Sequence, residues 1–131
     1  MILLDTNAYI ALQLGEVQVA QVVARASRVC MSSIVLGELF YGFRHGTRAT
    51  KNLGILEQFL QTRGVFIASI DRETAEWYGL LSAQLRRKGK PIPSNDIWIA
   101  SQTLQTQTTL ISFDAHFQHL ESLRFRHLTS N

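Results

Sequence analysis

The sequence predicts an α/β fold in which helices cover a short, mainly parallel central sheet, and three observations support this. Short apolar runs alternate with longer stretches whose apolar residues recur at helical spacing, as in strands joined by helical crossovers. The chain has 131 residues, so residues 1–131 are expected to form a single domain with one core. Hydrophobic residues make up 46% of the chain and charged residues 18%, values that exclude a disordered or fibrous protein.

The predicted strands are short and apolar, and several are rich in β-branched residues. They lie at residues 2–4, 29–31, 65–68, 110–113 and 125–128. Apolar residues at helical spacing predict helices at residues 8–14, 17–26, 34–43, 49–62, 73–87 and 97–105. A further short helix is expected to begin near Ala115. The segment Pro91-Ile92-Pro93-Ser94-Asn95 predicts a rigid loop, with Ser94 or Asn95 capping the helix that follows.

Several classes of protein are excluded by what the sequence lacks. The apolar runs are far shorter than the roughly 20 residues that span a bilayer, so no contact with a membrane is expected. The first residues carry no basic segment ahead of an apolar one, which argues against a secretory signal. The chain has one cysteine, Cys30, which cannot form an internal disulfide and is expected to be buried in a strand. These features predict a cytoplasmic protein.

The formal net charge is +3, and the positive residues are clustered. One cluster contains Arg86, Arg87, Lys88 and Lys90, and a second contains Arg44, His45, Arg48 and Lys51. Each cluster has two interpretations. It could be the solvated end of a helix, where cations complement the helix dipole, or it could contact the phosphates of a nucleic acid.

Acidic residues follow the predicted strands at the edge where an open parallel sheet binds its ligands. Asp5 comes directly after the first strand and Asp114 after the fourth. Asp96 opens a helix whose other first-turn residues are apolar. Each acid also has a purely structural interpretation, because Asp5 and Asp114 could cap helices and Asp96 could complement a helix dipole.

Glu38 lies in a predicted helix that is apolar nearly all the way round. Its carboxylate is therefore expected to have lost much of its hydration, and such a charge is tolerated when it is paired or binds a cation. The alternative is a structural glutamate bonded to a nearby backbone group or basic side chain. If these acids gather at one site they repel one another, and a divalent cation with oxygen ligands relieves the repulsion. Mg²⁺ or Mn²⁺ is the predicted cofactor.

Four segments together resemble the signature blocks of one family. They are Asp5-Thr6-Asn7, Gly37-Glu38-Leu39, Asn95-Asp96-Ile97-Trp98-Ile99-Ala100 and Leu110-Ile111-Ser112-Phe113-Asp114-Ala115-His116-Phe117. In order and spacing they resemble PIN domains, and most of all the VapC-like ribonuclease toxins of toxin–antitoxin pairs. The resemblance covers nearly the whole chain.

The resemblance implies a three-layer α/β/α fold and a metal-dependent endoribonuclease. It makes Asp5, Glu38, Asp96 and Asp114 the catalytic and metal-binding residues, and Thr6, Asn7 and Ser112 the residues that position the substrate. Ser112 stands where the family often has threonine, a change that keeps the hydroxyl. The basic residues 86–90 would then bind RNA.

The resemblance also implies partners. It predicts a homodimer and an antitoxin protein whose C-terminal segment lies across the acidic pocket, with DNA contacted only through that antitoxin. Aromatic and apolar residues in two helices, among them Trp77, Leu80 and Tyr41, exceed what one core obviously needs, although core packing is the simpler explanation.

Two other functions remain open at this point. A receiver-like phosphoacceptor domain has a similar size and an acidic metal pocket, but it needs adjacent acids after the first strand and a late lysine, which this chain lacks. A PIN fold that binds RNA or protein without cutting is the other. His116 and His119 are expected to be surface side chains, because two histidines without a third ligand are a weak zinc signal.

Overall fold

Five short parallel strands form the central sheet of the computed structural model, which describes residues 1–129. The strands are β1 (Ile2–Leu4), β2 (Val29–Ser32), β3 (Val65–Ala68), β4 (Thr109–Ser112) and β5 (Phe125–His127). They lie in the order β3-β2-β1-β4-β5, and every neighbouring pair is parallel. The five predicted strands are therefore confirmed, with ends that agree to within one residue.

Within residues 1–129, six α-helices and one short 3₁₀ helix flank this sheet. The α-helices are α1 (Thr6–Gln13), α2 (Val17–Arg25), α3 (Ser33–His45), α4 (Ala49–Leu60), α5 (Arg72–Lys88) and α6 (Ser94–Thr106), and the 3₁₀ helix is Ala115–His119. The predicted helix ends are correct to within three residues. This is the three-layer α/β/α fold that the resemblance implied.

The core lies around the central strands. All residues of β1 and β2 are buried, whereas the edge strands β3 and β5 are only partly covered. Continuous apolar runs suit strands that are covered on both faces, which explains why β1 and β2 show no alternation of polar and apolar residues. Cys30 in β2 is buried, as expected.

The strand order creates a crevice beside β1. From β1 the chain first builds outward through β2 and β3, and it later returns to build β4 and β5 on the other side. Open parallel sheets bind their ligands where the order reverses in this way, outside the carboxyl ends of the strands. The carboxyl ends of β1 and β4 therefore mark the expected position of a functional site.

The start of α6 differs from the prediction. The helix begins at Ser94, and no side chain caps it. The carbonyl of Pro93 instead accepts hydrogen bonds from the backbone amides of Asp96 (3.0 Å) and Ile97 (3.2 Å). The proline ring fixes an extended approach to the helix, so Ser94 is already helical and the prediction that Ser94 or Asn95 caps the helix was wrong. Asp96 keeps its predicted place in the first turn.

Within residues 1–129 no helix has both the length and the apolar composition that crossing a membrane requires.

Candidate metal centre and active site

Asp5 lies at the crevice between β1 and β4 because of the strand register. Leu4 is paired with Ile111, so the next residue, Asp5, comes beside Ser112. Asp5 is 8% exposed; its Oδ1 accepts a hydrogen bond from the backbone amide of Ala8 (2.9 Å), and its Oδ2 accepts one from the Ser112 hydroxyl. Asp5 therefore caps α1 and is held at the crevice at the same time.

Ser112 connects two of the predicted site residues. Its buried Oγ donates to Asp5 and accepts a hydrogen bond from the backbone amide of Asp114 (3.0 Å). The side chain of Asp114 in turn caps the 3₁₀ helix, since its Oδ1 accepts from the backbone amide of His116 (3.2 Å). The structural interpretation of Asp114 is thus also correct, and its carboxylate still lies beside the crevice.

Glu38 is less buried than the sequence predicts. It is half-buried, and its Oε1 accepts a hydrogen bond of 2.6 Å from the Thr6 hydroxyl rather than from a backbone group or a basic side chain. The expectation of a strongly desolvated carboxylate was wrong because much of the apolar surface of α3 is open. Tyr41, one turn further along the helix, is 67% exposed.

Asp96 and Asp114 meet at His116. The His116 Nε2 lies 2.7 Å from Asp96 Oδ2, and its Nδ1 lies 2.9 Å from Asp114 Oδ1. Asp96, Asp114 and His116 each offer one ligand atom, and these three atoms all lie within 4.8 Å of one another. The prediction that His116 is a surface side chain was wrong, because only 24% of the side chain is exposed.

The carboxylates of the site influence one another electrostatically. The pKa of Asp5 is raised to about 6, mainly by burial; the nearby charges of Asp96 and Asp114 add to the rise, and its hydrogen bonds from Ser112 and Ala8 oppose it. Burial also raises the pKa of Asp96, with His116 opposing the shift and the charges of Asp114 and Glu38 adding to it. The charges of Asp96 and Asp114 thus act on Asp5, and those of Asp114 and Glu38 act on Asp96.

This donor set fits a divalent metal ion. Carboxylate oxygens and one imidazole nitrogen are typical ligands for hard or borderline cations. In the part of the chain that the structure describes, no lysine or arginine forms an ion pair with Asp5, Glu38, Asp96 or Asp114. Apart from the contacts of His116 with Asp96 and Asp114, the negative charge is therefore left for a cation to neutralise. Other chemistry is not supported at Cys30, where burial raises the pKa of the thiol to about 12 and keeps it protonated.

An apolar groove begins at the acidic site. Its cavity of about 330 Å³ has Thr6 and Glu38 at its polar end, and its walls include Tyr9, Leu14 and Phe43. Asn7 is exposed in the first turn of α1, next to Asp5. The site is therefore open to solvent on the side of α1 and continues into a groove that could hold a larger molecule.

The two basic clusters lie at helix ends. Arg86, Arg87 and Lys88 are in the last turn of α5, and Lys90 follows it; all four are exposed. Lys88 is not free, since its Nζ donates to the His119 carbonyl (2.8 Å) and pairs with Glu121 (3.0 Å). The second cluster, Arg44, His45, Arg48 and Lys51, is also exposed, at the end of α3 and the start of α4.

The aromatic and apolar residues that exceed the obvious needs of one core are divided between the core and the surface. Leu81 is fully buried, and Tyr78 stacks on Trp98 with ring centroids 4.0 Å apart. Leu80 is 47% exposed and lines a surface groove with Trp77. Core packing thus accounts for part of this set, and the rest is available to a partner.

The fold and the site together define a class of protein: an α/β domain with a cluster of carboxylates at the switch point of a parallel sheet. Comparison with known families identifies the family within this class. The PIN domain model matches residues 2–123. The chain therefore belongs to the PIN-domain family, which decides against the receiver-like alternative.

Individual relatives agree with this assignment. Ribonuclease VapC2 of Haemophilus influenzae is 31% identical over 100 residues, which cover 76% of this chain and 74% of the relative. The tRNA(fMet)-specific endonuclease VapC of Salmonella typhimurium is 38% identical over 74 residues, which cover 56% of this chain and 54% of the relative. The crystal structure of VapBC2 from Rickettsia felis bound to a promoter DNA fragment superposes with a TM-score of 0.83 at 28% identity, covering 97% of this chain and 98% of that chain.

The raised pKa of Asp5 predicts how the stability of the metal-free protein depends on pH. Between pH 3.8 and about 6 the folded protein keeps a proton on Asp5 that the unfolded chain has released. The free energy of unfolding should therefore fall as the pH rises through this window. At about 1.4 kcal/mol per pKa unit, the total fall is roughly 3 kcal/mol at most. Denaturant unfolding in the presence of a chelator measures this slope, and Asp5→Asn should reduce it.

Asp71→Asn is the matched control, because Asp71 also caps a helix but lies outside the site. Hydrogen bonds from Thr74 and Gln105 lower its pKa, so the stability it contributes is lost as the pH falls below about 4. This variant should keep the slope between pH 4 and 6. If the stability of Asp5→Asn depended on pH as strongly as that of the wild type, the buried environment described for Asp5 would be contradicted.

Proposed function

We propose that this chain is a cytoplasmic, metal-dependent endoribonuclease and the toxin of a toxin–antitoxin pair, with residues 1–131 as one PIN domain. In this proposal Asp5, Glu38, Asp96 and Asp114 hold Mg²⁺ or Mn²⁺ for the hydrolysis of RNA phosphodiester bonds. The observation that carries the proposal is the mutual electrostatic influence of these carboxylates at the β1–β4 crevice, without a lysine or arginine paired to them among residues 1–129. The ribonuclease names of the relatives support it.

The residues of this chain prepare the site for that chemistry. When bound, a divalent cation lowers the pKa of a water molecule and stabilises negative charge on the phosphate oxygens. Ser112 fixes the orientation of Asp5 through Oδ2, and Thr6 fixes Glu38 through Oε1. Each carboxylate is thus held in place before the substrate arrives, which reduces the reorganisation needed during the reaction.

The substrate would be positioned by groups at the open side of the site. Asn7 is exposed in the first turn of α1 and can donate its side-chain amide to a phosphate oxygen. Glu38 and Asp114 are the proposed candidates for orienting the attacking water, and each keeps one oxygen that is not used in the contacts described above. The presence of all four acids favours cleavage over the alternative of a PIN domain that only binds.

The partners follow from the relatives and from the surface. The solved structures that resemble this chain include VapBC complexes, one of them bound to promoter DNA. We propose that an antitoxin segment occupies the apolar groove beside Glu38 and blocks the acidic site, and that DNA is contacted only through the antitoxin. The exposed Leu80 and its groove with Trp77 are consistent with a homodimer.

Purified protein with Mg²⁺ or Mn²⁺ should cut structured RNA internally and leave a 3′-hydroxyl and a 5′-phosphate. Attack by water on phosphorus gives these ends, whereas attack by the ribose 2′-hydroxyl gives a cyclic phosphate. Ligation and phosphatase assays on fragments of total tRNA and ribosomal RNA identify the ends. Chelation and Asp96→Asn should each reduce the rate at least ~100-fold.

The control for this experiment is Asp71→Asn, which makes the same chemical change at an acid outside the site and should leave the rate within about twofold. Cyclic phosphate ends, or full activity in excess chelator, would contradict metal-dependent hydrolysis. Wild-type activity of Asp96→Asn would remove Asp96 from the site.

The residues Arg86, Arg87, Lys88 and Lys90 are proposed to bind RNA through its phosphates. Replacing Arg86, Arg87 and Lys90 with glutamine should flatten the dependence of log affinity on log salt by about 0.7 per lost contact on single-stranded RNA. Lys88→Gln should have a smaller effect, because Lys88 already pairs with Glu121. Arg72→Gln, at the other end of α5, is the control. An unchanged slope in the triple variant would make the cluster an ordinary solvated helix end.

A further inference from the structure

His116 is the basic side chain that lies among the acids of the site, and the fold holds it there firmly. It is in the first turn of the 3₁₀ helix Ala115–His119, and Asp114 caps that helix by accepting from the His116 backbone amide at 3.2 Å. The same Asp114 oxygen, Oδ1, lies 2.9 Å from the ring nitrogen Nδ1. Asp114 therefore fixes both the backbone and the ring of His116.

The second ring nitrogen, Nε2, also lies against a carboxylate, that of Asp96. Nε2 is buried, and among residues 1–129 nothing forms a hydrogen bond with it. Asp96 Oδ2 is only 2.7 Å away, but that contact lacks hydrogen-bond geometry. An imidazole nitrogen and a carboxylate oxygen this close to each other, without hydrogen-bond geometry between them, are two lone-pair donors that one cation can share.

We propose that Nε2 of His116 is a nitrogen ligand of the metal ion, together with Asp96 Oδ2, and that Asp114 orients the imidazole through Nδ1. This inference rests on the proposed function. Histidine ligands of metals typically donate their other ring N–H to a carboxylate. Here Asp114 Oδ1, 2.9 Å from Nδ1, stands in the position of that carboxylate. Adjacent ligands of an octahedral ion bound at 2.0–2.1 Å are about 3 Å apart, close to the 2.7 Å between Nε2 and Oδ2.

A nitrogen ligand changes which metal the site prefers. Mg²⁺ is bound almost entirely by oxygen, whereas imidazole suits first-row transition metals. His116 therefore biases the site towards Mn²⁺ beyond what four carboxylates would do. The role of Asp114 changes as well: its Oδ1 serves His116, and its second oxygen remains available to the cation or to water.

Pulsed electron paramagnetic resonance of Mn²⁺ bound to the full-length protein tests this directly. The spectrum should show hyperfine coupling from one directly coordinated imidazole nitrogen, and the coupling should change as expected when histidine is labelled with ¹⁵N. It should be lost in His116→Gln and kept in His119→Gln. His119 is the matched control because it lies in the same 3₁₀ helix, one turn further on.

Calorimetric titration provides a second measurement. His116→Gln should weaken Mn²⁺ binding at least ~10-fold and Mg²⁺ binding less than about threefold, and Asp114→Asn should weaken Mn²⁺ binding in the same direction. Bound Mn²⁺ without nitrogen coupling in the wild type would overturn the proposal and leave the metal site intact. Coupling that persists in His116→Gln would also overturn it. No Mn²⁺ binding by the wild type would overturn the metal site of the proposed function itself. The wild-type spectrum decides the question even if His116→Gln does not fold.

Discussion

The repulsion among carboxylates beside the carboxyl ends of β1 and β4 is the constraint on which the rest of the candidate site depends. Asp5 is the centre of it, because it is nearly buried and is raised in pKa by its acidic neighbours as well as by burial. Placing charges of one sign together in a partly dry crevice costs folding free energy. The structure offsets part of this cost with hydroxyl donors at Asp5 and Glu38 and with the ring of His116, and in the proposed function a cation offsets the remainder.

The same residues can serve the fold and the candidate site, so capping a helix does not compete with the proposed metal binding. An N-cap residue stands between a strand and the helix that follows it, and in a parallel sheet that position lies on the ligand-binding edge. Asp5 caps α1 with one oxygen and keeps the other at Ser112. Asp114 caps the 3₁₀ helix and faces His116 with the same carboxylate. Such dual use explains how a chain of 131 residues can hold so much charge at one edge.

The sequence predicts the strands and helices well, but it predicts less well which of them lie next to one another. Apolar runs and helical spacing are local signals, so the strands, the helices and the acids that follow them could be identified from the chain alone. The order β3-β2-β1-β4-β5 depends on pairing between distant segments, and it decides that Ser112 lies beside Asp5.

Local patterns likewise misjudged two side chains. Helical spacing overestimated the burial of Glu38, since an apolar helix face says nothing about which part of it is covered. The position of His116 was missed because it depends on how the 3₁₀ turn after Asp114 folds back towards α6. The one indication in the sequence was that His116 lies two residues after an aspartate that could cap a helix.

The most direct test of this account is a calorimetric titration of Mn²⁺ into the metal-free wild type and into Asp5→Asn, Asp96→Asn and Asp71→Asn at neutral pH. If the gathered charge is what binds the cation, the two site variants should lose at least ~10-fold in affinity while Asp71→Asn, which alters an acid outside the site, binds like the wild type. Equal affinity in all four proteins would contradict the central claim, because the cation would then not be held by the carboxylates at the β1–β4 crevice.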